Sequence, residues 1–192
     1  MKIHKIICHT YAEGPGCRFC IWVQGCNNRC NGCFATELWD YNAGQEMSIE
    51  NIILMLKGVK DNIDGITFLG GEPFDKAGDL AVIAEYAHLL NKTVITFTGY
   101  TYEDIKNKSD DISRLLNQTD LLIDGRFEKA LTDFSRPLVG SSNQRFIYLS
   151  DKISERDIAS YKNRIEVRAD NNGKVTFNGM GNIKKLQELI LK

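Results

Sequence analysis

Cys26, Cys30 and Cys33 form a C-x3-C-x2-C run, Cys26-Asn-Asn-Arg-Cys30-Asn-Gly-Cys33, directly behind an apolar stretch that ends in Gln24-Gly25. Three thiolates on one short loop suit a soft metal, and iron–sulfur clusters are held by cysteine thiolates. Three ligands leave one iron of a four-iron cluster open, and a substrate or cofactor can bind there. A structural zinc ion wants a fourth ligand, and His4 and His9 lie far upstream. A zinc ribbon pairing Cys17 and Cys20 with Cys30 and Cys33 is disfavoured because Cys17-Arg-Phe-Cys20 enters a strand. Positions three apart on a strand face opposite sides. A redox C-x-x-C opens a helix in thioredoxin-like proteins, whereas this one leads into an apolar strand. Cys17, Cys20 and Cys8 therefore read as packing thiols.

Three further loops carry chemistry-bearing residues. Phe68-Leu69-Gly70-Gly71-Glu72-Pro73-Phe74 follows an apolar run, and paired glycines at a strand end let backbone come close to a ligand. Glu72 can accept a hydrogen bond from an ammonium group. The loop does not fit G-x-G-x-x-G, so no dinucleotide site is read from it. Thr98-Gly99-Tyr100 and Asp124-Gly125-Arg126 also follow strand-like runs. Thr98 joins the candidate site. Arg126 suits a carboxylate through paired hydrogen bonds, and Asp124 suits ribose hydroxyls. Gly140-Ser-Ser-Asn-Gln-Arg145 is a polar loop that either faces a ligand or partner or is simply a loop.

These loops must be brought together by the elements between them. Arg18–Val23, Ile66–Leu69, Thr93–Thr98, Leu121–Asp124, Arg145–Leu149 and Arg164–Arg168 read as strands, and Ile49–Lys57, Asp79–Leu90, Lys106–Asn117 and Ser154–Tyr161 as helices. Ser48 is the expected N-cap of the first helix. Repeated strand–helix–strand order predicts an α/β fold with a parallel sheet, as an open or closed barrel or doubly wound. In such folds the loops after strand C-termini share one face, so the four loops should converge. Glu166–Phe177 reads as a hairpin around Asn171-Asn172-Gly173, followed by an amphipathic helix over Asn182 to Leu191. Residues 1–150 are thus expected to form the core and 151–192 an appendage on it.

Composition narrows the function classes. Of 192 residues 43% are hydrophobic and 26% charged, enough to build a core, and the formal net charge of -1 argues against a nucleic-acid binder. No apolar run is long enough to span a membrane, and no signal peptide is apparent, which leaves a cytoplasmic protein as the expectation.

The C-x3-C-x2-C run resembles the hallmark of the radical S-adenosylmethionine (SAM) family. The ordered set Glu13-Gly-Pro-Gly-Cys-Arg18, Val23-Gln-Gly-Cys26, Cys30-Asn-Gly-Cys33, Leu38-Trp-Asp40, Gly70-Gly-Glu-Pro73, Asp124-Gly-Arg126 and Gly140-Ser-Ser-Asn-Gln144 is similar to the activases of anaerobic (class III) ribonucleotide reductases. The resemblance implies a partial (β/α) barrel of the radical SAM type, with a [4Fe–4S] cluster on Cys26, Cys30 and Cys33 and SAM on its open iron. Gly32, Cys33 and Phe34 would contact the adenosyl part, and Gly70, Gly71 and Glu72 the methionine amino group. A glycyl-radical protein, the large subunit of the anaerobic reductase, would be the partner, with a flavodoxin- or ferredoxin-type electron donor. Gly32 stands where many radical SAM proteins carry an aromatic, as the reductase activases tend to have it, whereas Ala35 departs from the Asn that activases usually carry. A radical SAM enzyme acting on another glycyl-radical protein, a peptide or a small molecule is the nearest alternative. A non-catalytic metal or electron-transfer module is the alternative of another class.

Overall fold

The computed structural model describes residues 1–173 and 175–181. Its strands are β1 (Lys2–Thr10), β2 (Arg18–Val23), β3 (Gln45–Glu46), β4 (Gly65–Gly70), β5 (Thr93–Phe97), β6 (Leu121–Asp124), β7 (Arg145–Tyr148), β8 (Ile165–Ala169) and β9 (Val175–Gly179). Its helices are α1 (Ile49–Val59), α2 (Ala77–Leu89), α3 (Tyr102–Ile105), α4 (Asp110–Asn117) and α5 (Glu155–Ser160). Seven strands make one sheet in the order β3-β1-β2-β4-β5-β6-β7, and β8 and β9 make a separate hairpin.

The four central strands β2, β4, β5 and β6 run parallel, as the alternation of apolar runs and helices requires. α1 begins behind Ser48, whose side chain accepts from the Asn51 amide as expected of an N-cap. The edges differ from expectation. β7 returns antiparallel to β6, because the connection between them holds no α-helix to carry a crossover. β1 was not expected as a strand: its Lys and His residues interrupt the apolar alternation, yet it pairs antiparallel with β2. The helix expected over Lys106–Asn117 is α4, which starts later, at Asp110 behind its N-cap Ser109, and the short α3 precedes the expected span. The hairpin expected over Glu166–Phe177 is β8 and β9, and the helix expected over Asn182 to Leu191 lies outside the described residues.

Pleating sorts the side chains between two cores. Phe19, Ile21 and Val23 of β2 join Ile66 and Phe68 of β4 beneath α1, α2 and α4. Cys20 and Trp22 point to the other face, with Leu38. Cys17 packs in the helix-side core and Cys20 in the opposite one, so the two thiols stand on opposite faces. At the N-terminal ends of the parallel strands the guanidinium of Arg18 is fully buried. It donates to Thr67 Oγ1 at 3.1 Å and Thr93 Oγ1 at 2.6 Å, and to the carbonyls of Ile66 and Thr93.

Candidate functional site

A cleft of about 410 Å³ opens over the face of the sheet away from the helices. Trp22, Leu69 and Phe97 supply its apolar floor, and its rim includes Cys26, Cys30, Cys33, Phe34, Gly70, Gly71, Glu72, Thr98 and Gly99. The strand ends bring these loops together because β2, β4 and β5 end side by side in parallel register, Val23 opposite Gly70 and Phe68 opposite Thr96.

The cysteine loop turns through two left-handed residues, Arg29 (φ 44°) and Gly32 (φ 80°). The amide of Cys33 closes onto the carbonyl of Cys30 at 3.1 Å, and the Ala35 amide donates to Cys33 Sγ at 3.4 Å. All three thiols are partly exposed, unlike Cys17 and Cys20. Phe34 stands 71% exposed beside them, its ring 5.4 Å from that of Phe127 and 6.2 Å from that of Phe134.

The Gly-Gly-Glu loop is locked to the cysteine loop through backbone. Gly71 N–H donates to the Val23 carbonyl and Glu72 N–H to the Gly25 carbonyl, both at 2.8 Å. A Cβ on Gly71 would stand 2.1 Å from the Gly25 oxygen, so only glycine fits. Glu72 is buried and its carboxylate takes four donors: Thr98 Oγ1 and Gly99 N at 2.8 Å, Asn28 Nδ2 at 2.9 Å and Phe74 N at 3.1 Å. Burial pushes its pKa up to about 7 against the pull of those donors. Thr98 is thereby fixed at the rim. Asn28 was missed in the sequence, hidden as a spacer between Cys26 and Cys30; its amide nitrogen is tied to Glu72 and its oxygen is buried without a partner among the described residues.

One expected ligand residue stands elsewhere. Along β6 the pleat sends Leu121 and Ile123 into the core on the cleft side, and Asp124 to the opposite face. There its carboxylate accepts from Tyr102 N at 2.8 Å and from Arg145 Nε and Nη2 at 2.9 and 2.5 Å, with no exposed surface left for a ribose. Arg126 is exposed at the edge of the cleft, between the lining residues Gly125 and Phe127 and close enough for its charge to act on the Cys30 thiol; its carbonyl accepts from Asn143 Nδ2. The polar loop at 140–145 also turns inward: Gln144 Oε1 accepts from the amides of Gly140 and Ser141, and its amide donates to Gly125 O.

A family model described as a 4Fe-4S single cluster domain matches residues 12–147. The chain belongs to this family. It is also similar to proteins named anaerobic ribonucleoside-triphosphate reductase-activating protein. The one from Enterobacteria phage T4 is 29% identical over 82% of this chain and 100% of its own length. The one from Vibrio cholerae is 30% identical, covering 75% and 96%, and the one from Pasteurella multocida 33%, covering 69% and 87%.

The cysteine loop fits the family's 4Fe-4S group by its chemistry: three partly exposed thiols on one turn, with a backbone amide aimed at one sulfur. Among the described residues no three His, Cys, Asp or Glu side chains gather closely enough for one metal ion. Thiolates that each hold a different iron of a cluster stand further apart than ligands of a single ion. Also among the described residues, no helix is long and apolar enough to cross a membrane.

Proposed function

We propose that this protein is a radical SAM activase that generates a glycyl radical on an anaerobic ribonucleotide reductase. The observation that carries the reading is the convergence of the cysteine loop with the Gly70–Glu72 and Thr98–Gly99 loops around one cleft, in a chain similar throughout its core to named activating proteins. In this reading the sheet is a partial (β/α) barrel and the cleft its concave side.

Cys26, Cys30 and Cys33 would hold the cluster, with SAM bound beside it. Such a cluster, once reduced, would supply the single electron for reductive cleavage of SAM, the chemistry that would remove a hydrogen atom from a glycine of the reductase. The chain's own residues position and shield. Gly71 lets the strand-end backbone lie against Gly25, so the methionine end meets main chain rather than side chains. Glu72 holds Asn28, Thr98 and Gly99 in one cradle, fixing the rim before any ligand arrives. Gly32, Cys33 and Phe34 would contact the adenosyl part, Cys33 and Phe34 from the cleft lining itself, and the apolar floor of Trp22, Leu69 and Phe97 would keep water from the reacting atoms. A flavodoxin- or ferredoxin-type protein would supply the electron.

The test is anaerobic. Cluster-loaded, reduced protein is mixed with SAM and the cognate reductase and examined by electron paramagnetic resonance. The expected result is a glycyl-radical doublet, with slow SAM cleavage when the reductase is left out, because no hydrogen donor is then correctly placed. Turnover of a peptide or small molecule, with no radical on the reductase, would replace this reading by the alternative substrate class.

A further inference from the structure

The hairpin β8–β9 lies beyond the residues that the 4Fe-4S family model matches, yet it is bonded into the cleft. Phe177, Asn178, Gly179 and Met180 line the cleft together with Lys5 and Glu13. Asn178 is buried, and its amide nitrogen donates to Thr10 Oγ1 at 2.9 Å and to Glu13 Oε1 at 3.1 Å. Its oxygen accepts from Arg168, whose guanidinium also donates to the His9 carbonyl at 2.8 Å. Glu166 accepts from Thr10 Oγ1 at 2.7 Å and from the Tyr11 amide at 2.6 Å. These bonds tie the hairpin to the end of β1 and to the turn that carries Glu13.

This wall stands away from the cofactor loops. The Glu13 carbonyl accepts from Thr67 Oγ1 at 3.0 Å, near the middle of β4, whereas Gly70 and Gly71 sit at its C-terminal end. Three to four residues of strand separate the two levels by roughly 10–13 Å. Lys5 Nζ lies 4.3 Å from the ring centroid of Trp22 and donates to the Phe177 carbonyl at 3.4 Å. An ammonium donor and a carboxylate acceptor beside aromatic rings match the carbonyl and N–H of a peptide unit with an apolar flank.

We infer that the C-terminal hairpin is the partner-facing wall of the cleft, with Asn178 as the positioning residue that aims Glu13 at a polypeptide segment of the protein substrate. This rests on the activase reading. It adds that a segment outside the matched family core, rather than that core alone, helps set which partner loop is accepted. Glu13 is buried in the cleft wall, and the Asn178 amide and the hairpin backbone at Gly179 hold its carboxylate in one orientation.

Two variants test this in the cluster-loaded full chain: Asn178→Leu, which removes the donor to Glu13, and Phe177→Ala, which trims the wall without touching those hydrogen bonds. Four quantities are read: iron and sulfide per chain, SAM affinity, affinity for the cognate reductase by fluorescence anisotropy, and radical yield at saturating reductase. Expected are unchanged cluster content and SAM affinity, with reductase affinity about tenfold weaker or more in Asn178→Leu, the size of one lost hydrogen bond to a charged group. A smaller loss is expected in Phe177→Ala, and radical yield should recover in part at saturating reductase. Wild-type reductase affinity in both variants would overturn the inference while leaving the activase reading intact. Loss of SAM binding with unchanged reductase affinity would also overturn it, since the wall would then serve the cofactor. Wild-type protein that cleaves SAM but neither binds nor oxidises the reductase would remove the underlying reading, and this inference with it.

Discussion

Replacing Gly71 by alanine adds one methyl group at the point where the two cofactor loops touch. The new Cβ would stand 2.1 Å from the Gly25 carbonyl oxygen and 3.0 Å from the Gly25 nitrogen. Non-bonded carbon and oxygen atoms settle at roughly 3.5 Å, so one backbone must retreat by more than 1 Å. Neither neighbour is a flexible side-chain tip that can swing aside. That retreat stretches the Glu72 N–H to Gly25 and Gly71 N–H to Val23 hydrogen bonds, both 2.8 Å, past useful length. Two lost hydrogen bonds at about 1 kcal/mol each, plus about 1–3 kcal/mol for overpacking, give about 3–5 kcal/mol. Gly58, near the end of α1, has nothing within 4 Å of its Cβ position, so Gly58→Ala serves as the control and should be neutral or slightly stabilising. Urea unfolding of the cluster-free protein measures both, and reconstitution then reports how much cluster each retains. If Gly71→Ala unfolds within about 0.5 kcal/mol of wild type and assembles a full cluster, the close contact of these loops does not exist in solution and the cleft as described is wrong.

Alanine at Cys26, Cys30 or Cys33 should abolish the visible absorption of the reconstituted cluster, whereas alanine at Cys17 or Cys20 should preserve it; cluster loss in both of the latter would overturn the ligand assignment. Burial pushes both Glu13 and Glu72 to a pKa of about 7, above the ordinary carboxyl value of 4.5. Their folded forms therefore hold protons that the unfolded chain has released, and cluster-free stability should fall between pH 5 and pH 7.5 by an amount on the order of 3 kcal/mol per group. Urea midpoints across that range should flatten in Glu13→Gln and Glu72→Gln; a rise with pH in wild type would contradict the burial argument. Asp124→Asn should lower stability by about 1–3 kcal/mol through the half-exposed Arg145 pair and leave SAM affinity unchanged, and reduced SAM affinity at wild-type stability would return Asp124 to the site.

What the sequence disclosed and what it hid have separate physical causes. Strands buried on both faces read as near-continuous apolar runs, so β2, β4, β5 and β6 were visible and their parallel order followed from the helices between them. β1 lies at the side of the sheet, where only half its residues meet a core. Lys2, Lys5 and the two histidines mask the rest. The loop glycines announced the cleft because a close backbone approach tolerates nothing else, as at Gly71. Asp124 misled because a turn such as Asp-Gly-Arg shows that a strand ends but not which way its last residue faces. One residue of pleat decided that point. Asn28 and Asn178 were invisible for another reason: each matters through a partner distant along the chain, Glu72 in one case and Glu13 in the other.

The buried guanidinium of Arg18 bears on how this protein can change over generations. It laces β2, β4 and β5 together at the end remote from the cofactor loops, and it has room only because Gly65 carries no side chain; a Cβ there would lie 2.2 Å from its Nη1. A change at Gly65, Thr67 or Thr93 strands a buried cation, so these positions must drift together with Arg18 or not at all. The loops at the opposite end carry no such mutual lock with that rivet. Insertions, new side chains and new docking surfaces can accumulate around the cofactor loops while the strands stay in register. Invariance and novelty are thereby assigned to opposite ends of the same three strands.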